Sequence, residues 1–521
     1  MVKLQKYLNP ILYGFVFVFE LIFLVACGGG GGGSSSGSNL PTGEMAVSLT
    51  DAASSECDFD NVFVTVRKVR VHEKDTALPG DSKWVEITPP NGPVKVDLLT
   101  LQNGDTTPLG TNSLPVATYN QVRLVLVPNT TTTPPFNNYV VVGGVTYPLV
   151  IPDGFTDGIK FHSQVGITAG GSEELVIDVD VCQSIVKGKN NVYHFRPRLL
   201  SVRKAVAGGI TGNISPAGTK AVVKAEVIGP DGGTRYVYKE TRVRADGSFK
   251  LYPLPNSTLI PTLFPHDTAG TFDIVIVSDT TATVLMTGVP VTAGQDTAIS
   301  TPTAPIALTN ATNIGSITGF IDPVSADARV RQKINGNDYQ IRRHPLNPFD
   351  GGFDFILSLD PALFTAYSAA SPTAPVADNS SAGVYAVDTP NDDGLYAITN
   401  LDAIFTGAHN IVLSTLNAPI KLAPASGSPG TVTGNLTFPT NAQGEVLVVA
   451  MMNDEVVNAT AVAFNNETAP KPYTIDDLAA GSYTILILHR SGLKTITPPT
   501  RSVTITSAGE TLSGNDFTLA P

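Results

Sequence analysis

Cysteine is the most reactive residue type in this 521-residue chain, and it occurs three times, at Cys27, Cys57 and Cys182. These separations exclude a compact CxxC zinc or redox motif. Cys57 and Cys182 suit either of two uses: a disulfide, if the chain matures in an oxidising compartment, or buried thiols serving as small hydrophobes. Carboxylates offer a second chemistry. Asp51, Asp97, Asp178 and Asp180 could meet around calcium, which takes about six to eight oxygen ligands. Their spacing lacks the ordered EF-hand loop, and turn capping or solvation accounts for isolated Asp residues equally well. The reading is therefore no metal and no cofactor, with these four as the calcium candidates. The seven histidines (His72, His162, His194, His266, His344, His409 and His489) are dispersed, and HExxH and phosphate-loop patterns are absent, so no enzyme is expected. Trp84, the single Trp, joins Tyr339, Phe349, Phe353 and Phe355 as a platform on which a glycan or a protein could stack, although burial in a core is the commoner use of such rings.

Cys27 has a more specific context. Lys3 and Lys6 precede an apolar run from Ile11 to Val25, closed by Ala26, which is the layout of a cleavable export signal. The run is interrupted by Glu20 and is shorter than the roughly 20 apolar residues that a membrane span requires. Leu24-Val25-Ala26-Cys27 resembles the lipobox of bacterial lipoproteins. That resemblance implies a signal over residues 1–26, lipidation of Cys27, and a membrane held through the acyl chains, each buried CH₂ contributing about 0.8 kcal/mol. Gly28 stands where an Asp would signal inner-membrane retention, so the resemblance implies export to the outer membrane or cell surface of a Gram-negative host. Gly28 to Gly33 and the Ser/Gly run through Ser38 cannot bury apolar surface, making 27–42 a flexible tether.

The elements that position these groups read as all-β. Charged residues are 15% of the chain, Gly and Pro number 48 and 39, and the net charge is −12. That balance favours short strands and turns and excludes nucleic acid, which needs a clustered basic face. The length suggests roughly three to four domains. In the first, 43–206, Met45, Val47 and Leu49 alternate with polar residues, as do Val62, Val64 and Val66; the phase then slips to Val69 and Val71, as across a β-bulge. Gly143-Gly144 suits a hairpin turn. Asp178, Asp180 and Cys182 alternate with Ile177, Val179 and Val181, which places both carboxylates on the cysteine's side of a strand. Ser48 through Ala52, Val96 through Leu99, Tyr119 through Leu126 and Asp178 through Val186 resemble an uncharacterised bacterial lipoprotein domain, domain of unknown function 4382. This implies a β fold and export and supplies no activity.

Three repeats follow, over 207–310, 311–425 and 426–521. They open with Ile210-Thr211-Gly212, Ile317-Thr318-Gly319 and Val432-Thr433-Gly434. An aromatic strand is expected at Phe249, Tyr396 and Tyr473, and a later strand at Phe272–Val277, Asn410–Leu413 and Tyr483–Leu488. Pro305–Leu308, Pro419–Leu422 and Asp516–Leu519 close the units. Asp246-Gly247-Ser248-Phe249 and Gly481-Ser482-Tyr483 resemble the carboxypeptidase regulatory-like, or transthyretin-like, seven-stranded sandwich. The late Tyr396 implies an insertion in the middle repeat, about residues 335–392, with a short helix over Pro361–Tyr367. The whole reads as several β-sandwich domains in series on a lipid tether: a non-catalytic stalk or a binding and adhesion protein. The alternatives are a carbohydrate-binding accessory protein or a hydrolase with an unrecognised site.

Overall fold

The computed structural model describes residues 41–521 except 52–58, 131–133, 152–156, 188–192, 196–197, 230–231, 234, 323–326, 348–349, 370–373, 391–399, 407–408, 423–428, 453–454, 490–492, 494 and 508. Cys27, Cys57, Phe349 and Tyr396 lie outside the described residues. The chain is an all-β, multi-domain protein. Among the described residues, no helix is long and apolar enough to cross a membrane.

The first domain packs two sheets face to face. Thr42–Asp51 is central in a four-stranded sheet, parallel to Ser172–Val179 and antiparallel to Thr107–Pro115. Asn61–His72 organises the other, pairing with Val85–Ile87, Val94–Asp97, Ala117–Leu126 and Tyr139–Val142. Met45, Val47, Leu49, Val62, Val64 and Val66 share the core between them. The phase slip is a register shift between Val66 and Lys68. Gly143 and Gly144 turn the hairpin with φ of 57° and 75°, backbone that residues bearing a Cβ adopt only at a penalty. One expectation fails: Asp180 and Cys182 do not continue the strand of Asp178. The Asp180 carboxylate accepts the Gln183 N–H at 3.0 Å and caps a helical turn, Val181–Ser184, that carries Cys182 away from the sheet.

Each repeat is built around its opening strand: Ala207–Ser215, Ile314–Asp322 and Gly430–Thr437. Each pairs antiparallel with one strand and parallel with two short ones from the end of the unit. The repeated Gly has a packing cause. A Cβ on Gly212 would lie 2.5 Å from Phe249 Cζ, on Gly319 2.6 Å from Phe353 Cζ, and on Gly434 2.8 Å from Tyr473 Cε1. An aromatic ring lies over the bare backbone in all three.

That pairing corrects the middle repeat. Phe353, not Tyr396, is opposite Gly319, a separation of 34 residues (319 to 353). The analogous partner of the Phe272–Val277 strand is Val384–Asp388, because Asn410–Val412 runs parallel to the opening strand instead. Phe355 replaces the Leu or Ile expected two residues after the ring, which hid the true strand. Most of the supposed insertion is therefore repeat core, and the additional elements are the strands Ala362–Ala366 and Val376–Asp378 and a 3₁₀ turn, Asn379–Ser381.

Those added strands overturn the expected helix. Ala362–Ala366 is a strand because its backbone groups are taken by the edge of repeat 1: it pairs in parallel with Val284–Val289, and Leu363 and Tyr367 donate to Thr283 O and Thr287 O, both at 2.8 Å. The sheet of repeat 1 is thereby extended by two strands from repeat 2. Leu363→Pro removes one of these donors and is expected to destabilise the junction by roughly 1–3 kcal/mol, the penalty of an unsatisfied buried acceptor. Hydrogen–deuterium exchange should accelerate across Val284–Val289 and remain unchanged across Gly430–Thr437; unchanged exchange at Val284–Val289 would show that the pairing carries no weight.

The third repeat also docks laterally. In Gln443–Met452, Val446, Val448 and Ala450 enter one core, while Leu447, Val449 and Met451 join the core of the first domain together with Leu486. The strand is buried on both faces, which is what its unbroken apolar run encodes.

Candidate functional site

Alternation places charge on the outer faces of these sheets, where water is expected. Cross-strand register puts Lys224 opposite Glu240 and Glu226 opposite Asp273, on the face turned away from Val223, Ala225 and Val227. Yet all four are at most 4% exposed. The first domain and repeat 2 cover them, so charges that would be solvated on an isolated sandwich become interface groups and must find partners.

Where the three units meet, Asp178, Asp180, Gln183 and Arg198 of the first domain face Tyr236, Tyr238, Lys239 and Glu240 of repeat 1 and Gln340 and Arg343 of repeat 2 around a small pocket. Lys239 Nζ lies 2.6 Å from Asp178 Oδ2 and donates to the carbonyl of Asp51 at 3.2 Å. Lys224 pairs with Glu240 at 3.1 Å. Gln183 Nε2 donates to the carbonyl of Arg343, whose guanidinium holds Asp327 at 2.6 Å; Arg198 reaches the same carboxylate at 3.3 Å. Burial pushes the Asp51 carboxyl well above the ordinary range, against the pull of Lys239 and with help from Asp178. Asp180, half-buried as a residue with its carboxyl in the pocket, is also raised well above normal, by desolvation first and then by Glu240.

The pocket has about 40 Å³ of free space, enough for a few water-sized groups. Sites for drug-sized ligands run to about 300–1,000 Å³, so a sugar ring does not fit. The calcium candidates divide. Asp97 is committed to the first domain's own backbone, accepting from Val62 N–H at 3.0 Å and Leu99 N–H at 3.3 Å, and from Asn61 Nδ2 at 2.6 Å. Asp51, Asp178 and Asp180 are neighbours, but Asp178 is paired with the Lys239 ammonium, which also donates to the Asp51 carbonyl. Among the described residues, no group of three or more His, Cys, Asp or Glu is arranged to hold a metal ion.

Among the described residues, the expected aromatic platform does not form. Tyr339 is fully buried between repeats 1 and 2, its hydroxyl donating to Asp273 Oδ2 at 2.9 Å beside Arg235, which reaches the same oxygen at 2.8 Å. Phe353 and Phe355 are core residues of repeat 2. Period-2 alternation along Gly352–Ser358 turns both inward, and Gly319 leaves the space that the Phe353 ring fills. Trp84 belongs to a distant part of the first domain. Two guanidinium groups already occupy its ring, Arg70 at 4.6 Å and Arg123 at 5.3 Å from the centroid, and its Nε1 donates to Leu78 O. Cys182 is buried and disulfide-bonded, with its partner outside the described residues.

Sequence reasoning missed Lys239, Glu226, Glu240 and Arg343, because a charged residue at an outward strand position carries no mark of a docking partner. The available signal was indirect: Val446 to Met452, seven apolar residues in succession, cannot have one face in water.

Residues 42–197 match the profile of a domain of unknown function (DUF4382). No curated protein matches the chain. Among solved structures, the Bacillus anthracis TIE protein is similar at 11% identity, over 94% of this chain and 76% of its own, with a TM-score of 0.16. A streptococcal ancillary pilin is similar at 10% identity over 60% of this chain and 99% of its own, with a TM-score of 0.15. The shaft pilin SpaA from Lactobacillus rhamnosus GG is similar at 10% identity over 40% and 97%, with a TM-score of 0.17.

Proposed function

We propose that this chain is an exported cell-envelope lipoprotein, tethered through Cys27, whose β-sandwich units form one rigid head with a structural or ligand-binding role and no catalysis. The observation that carries this reading is the docking itself: sandwiches that share cores, ion pairs and a donated strand hold a fixed surface at the end of the Gly/Ser tether. The docking favours a consolidated head over a stalk of independent beads. Pairing of Cys57 with Cys182 would add about 3–5 kcal/mol to the first domain in the chain-entropy account, useful outside the cell.

A protein ligand has more support than a glycan. Ile314, Ile356 and Val412 are 41%, 48% and 66% exposed on the small sheet of repeat 2, where register aligns Ile356 with Ser316 and Val412 with Thr318 on one outer face. That face offers apolar contact without ring stacking.

Intact-mass analysis of the mature protein from its native membrane tests the anchor. The expected result is a chain beginning at Cys27 with a diacyl or triacyl adduct, and a Cys27→Ala variant that is no longer extracted with the membrane. An unmodified chain retaining residues 1–26 would overturn the lipoprotein reading.

A further inference from the structure

The contact between the first domain and repeat 1 concentrates carboxyl groups at a buried interface. The first domain supplies Asp51 at the end of Thr42–Asp51, Asp178 on Ser172–Val179 and Asp180 at the helical cap. Arg198, just before Leu199–Arg203, is the cation beside them. Repeat 1 supplies Tyr236, Tyr238, Lys239, Glu240 and Arg242 on Arg235–Arg242 and Lys224 on Val222–Ile228. Repeat 2 adds Gln340 and Arg343, backed by Asp327. Lys239 pairs with Asp178, Lys224 with Glu240, and Arg198 and Arg343 with Asp327, while Arg242 acts on Asp51 as a weaker opposing charge than Lys239. Among the described residues, Asp51 and Asp180 have no cation bonded to their carboxyl groups, and four buried acceptor atoms nearby, Asp51 Oδ2, Asp178 Oδ1, Gln183 Oε1 and Glu240 Oε1, have no hydrogen-bonding partner.

We propose that this contact is a proton-operated latch, in which Asp51 and Asp180 each hold a proton while the first domain and repeat 1 are docked and release it to solvent when the two part. In the docked state a neutral carboxyl avoids the desolvation of a carboxylate and supplies a donor to a cluster that is short of donors. Val181 N–H still bonds Asp51 Oδ1, at 3.2 Å, and Gln183 N–H still bonds Asp180 Oδ1, since the carbonyl oxygen of a neutral carboxyl also accepts. Once parted, the groups return to ordinary Asp values near 4 and ionise. Their docked values are raised, so docking takes up protons: it is strongest below about pH 4 and weakens as pH rises toward the docked values. Each retained proton makes the opening constant rise by up to about tenfold per pH unit in that window. Acid closes the latch and alkali opens it.

Hydrogen–deuterium exchange of the full chain from about pH 5 to pH 9, corrected for intrinsic base catalysis, reads the opening directly. In the wild type, protection of Asp178–Ser184 and Arg235–Arg242 should fall progressively with pH. The double variant Asp51→Asn/Asp180→Asn, which imitates the neutral carboxyls and keeps an effective helix cap, should show a nearly flat pH response in both segments. Equal slopes in the two proteins, or protection that rises with pH in the wild type, would overturn the latch. Infrared spectroscopy in a Glu226→Gln background, which removes the buried carboxyl whose pKa is lifted to about 8, covers the case of a double variant that does not fold. A protonated carboxyl stretch should persist at neutral pH in that background and disappear when the junction opens at high pH; its absence at neutral pH would overturn the proposal equally.

Discussion

Glu226→Gln is expected to stabilise the protein in alkaline solution and to change little near pH 4. Glu226 is fully buried between repeats 1 and 2, where Oε2 accepts the Gln340 N–H at 3.2 Å and Oε1 has no partner among the described residues. Burial is the leading cause that lifts its pKa from 4.5 to about 8, opposed by Gln340 N–H, Lys224 and Arg235 and reinforced by Asp273. A carboxyl raised in the folded state favours folding fully only below its unfolded value, and that contribution is lost as pH climbs through the folded value. At roughly 1.4 kcal/mol per unit, the wild type should lose on the order of 4–5 kcal/mol relative to the Gln variant between about pH 4.5 and pH 8, with a plateau above. The amide preserves the acceptor for Gln340 and cannot ionise. Thermal unfolding of both proteins across this range checks the expectation; a difference in stability independent of pH would show that Glu226 is charged in the folded protein.

Arg329→Met is expected to lower stability by about 3–5 kcal/mol, the usual consequence of stranding one member of a buried ion pair. Arg329 is fully buried and opposite Asp388 in register, with Nε and Nη2 bonding its two oxygens at 2.7 Å each. Removal leaves Asp388 with Arg331, 2.9 Å away on the same strand, as its remaining ion-pair partner. Asp388→Asn in the same chain should recover part of the loss, because the stranded charge is the main source of the penalty. Both variants can be followed by circular dichroism during heating. A single variant as stable as wild type would mean that the pair breaks even against its own desolvation.

The repeated architecture was legible because short-range rules fix it. Ile210-Thr211-Gly212 and its two copies mark the opening strands, for a central strand needs inward apolar residues and each ring needs a glycine beneath it. The slip after Val66 and the Gly143-Gly144 turn were equally local, readable from the apolar phase and from the glycine pair itself. The middle repeat misled where two segments offered the same pattern. Phe353 and Tyr396 both begin aromatic alternations, and only the pairing with Gly319 selects Phe353. Ala362–Ala366 was misread for a different reason: its conformation is decided by the free edge of Val284–Val289 in another unit, which no local propensity records.

The candidate site was almost entirely hidden. Asp51, Asp178 and Asp180 were singled out as calcium candidates, and the structure gathers them, but with Asp178 paired to Lys239, a residue whose spacing gave no reason to select it. Tyr339, Phe353 and Phe355, weighed as a ring platform against the commoner use in a core, are buried. By itself, the sequence determined the all-β class, the three opening strands of the repeats and the inward apolar positions of Thr42–Asp51 and Asn61–His72, because these follow from side-chain period and turn chemistry within a few residues. Only the tertiary structure decided which outward faces stay wet. Lys224, Glu226, Arg329 and Asp388 stand at positions that read as solvated surface, and docking removes the water, turning surface charge into buried charge that must find partners. Whether such a face meets solvent or another sandwich depends on shape and contact across distant segments, and strand periodicity is identical in both cases.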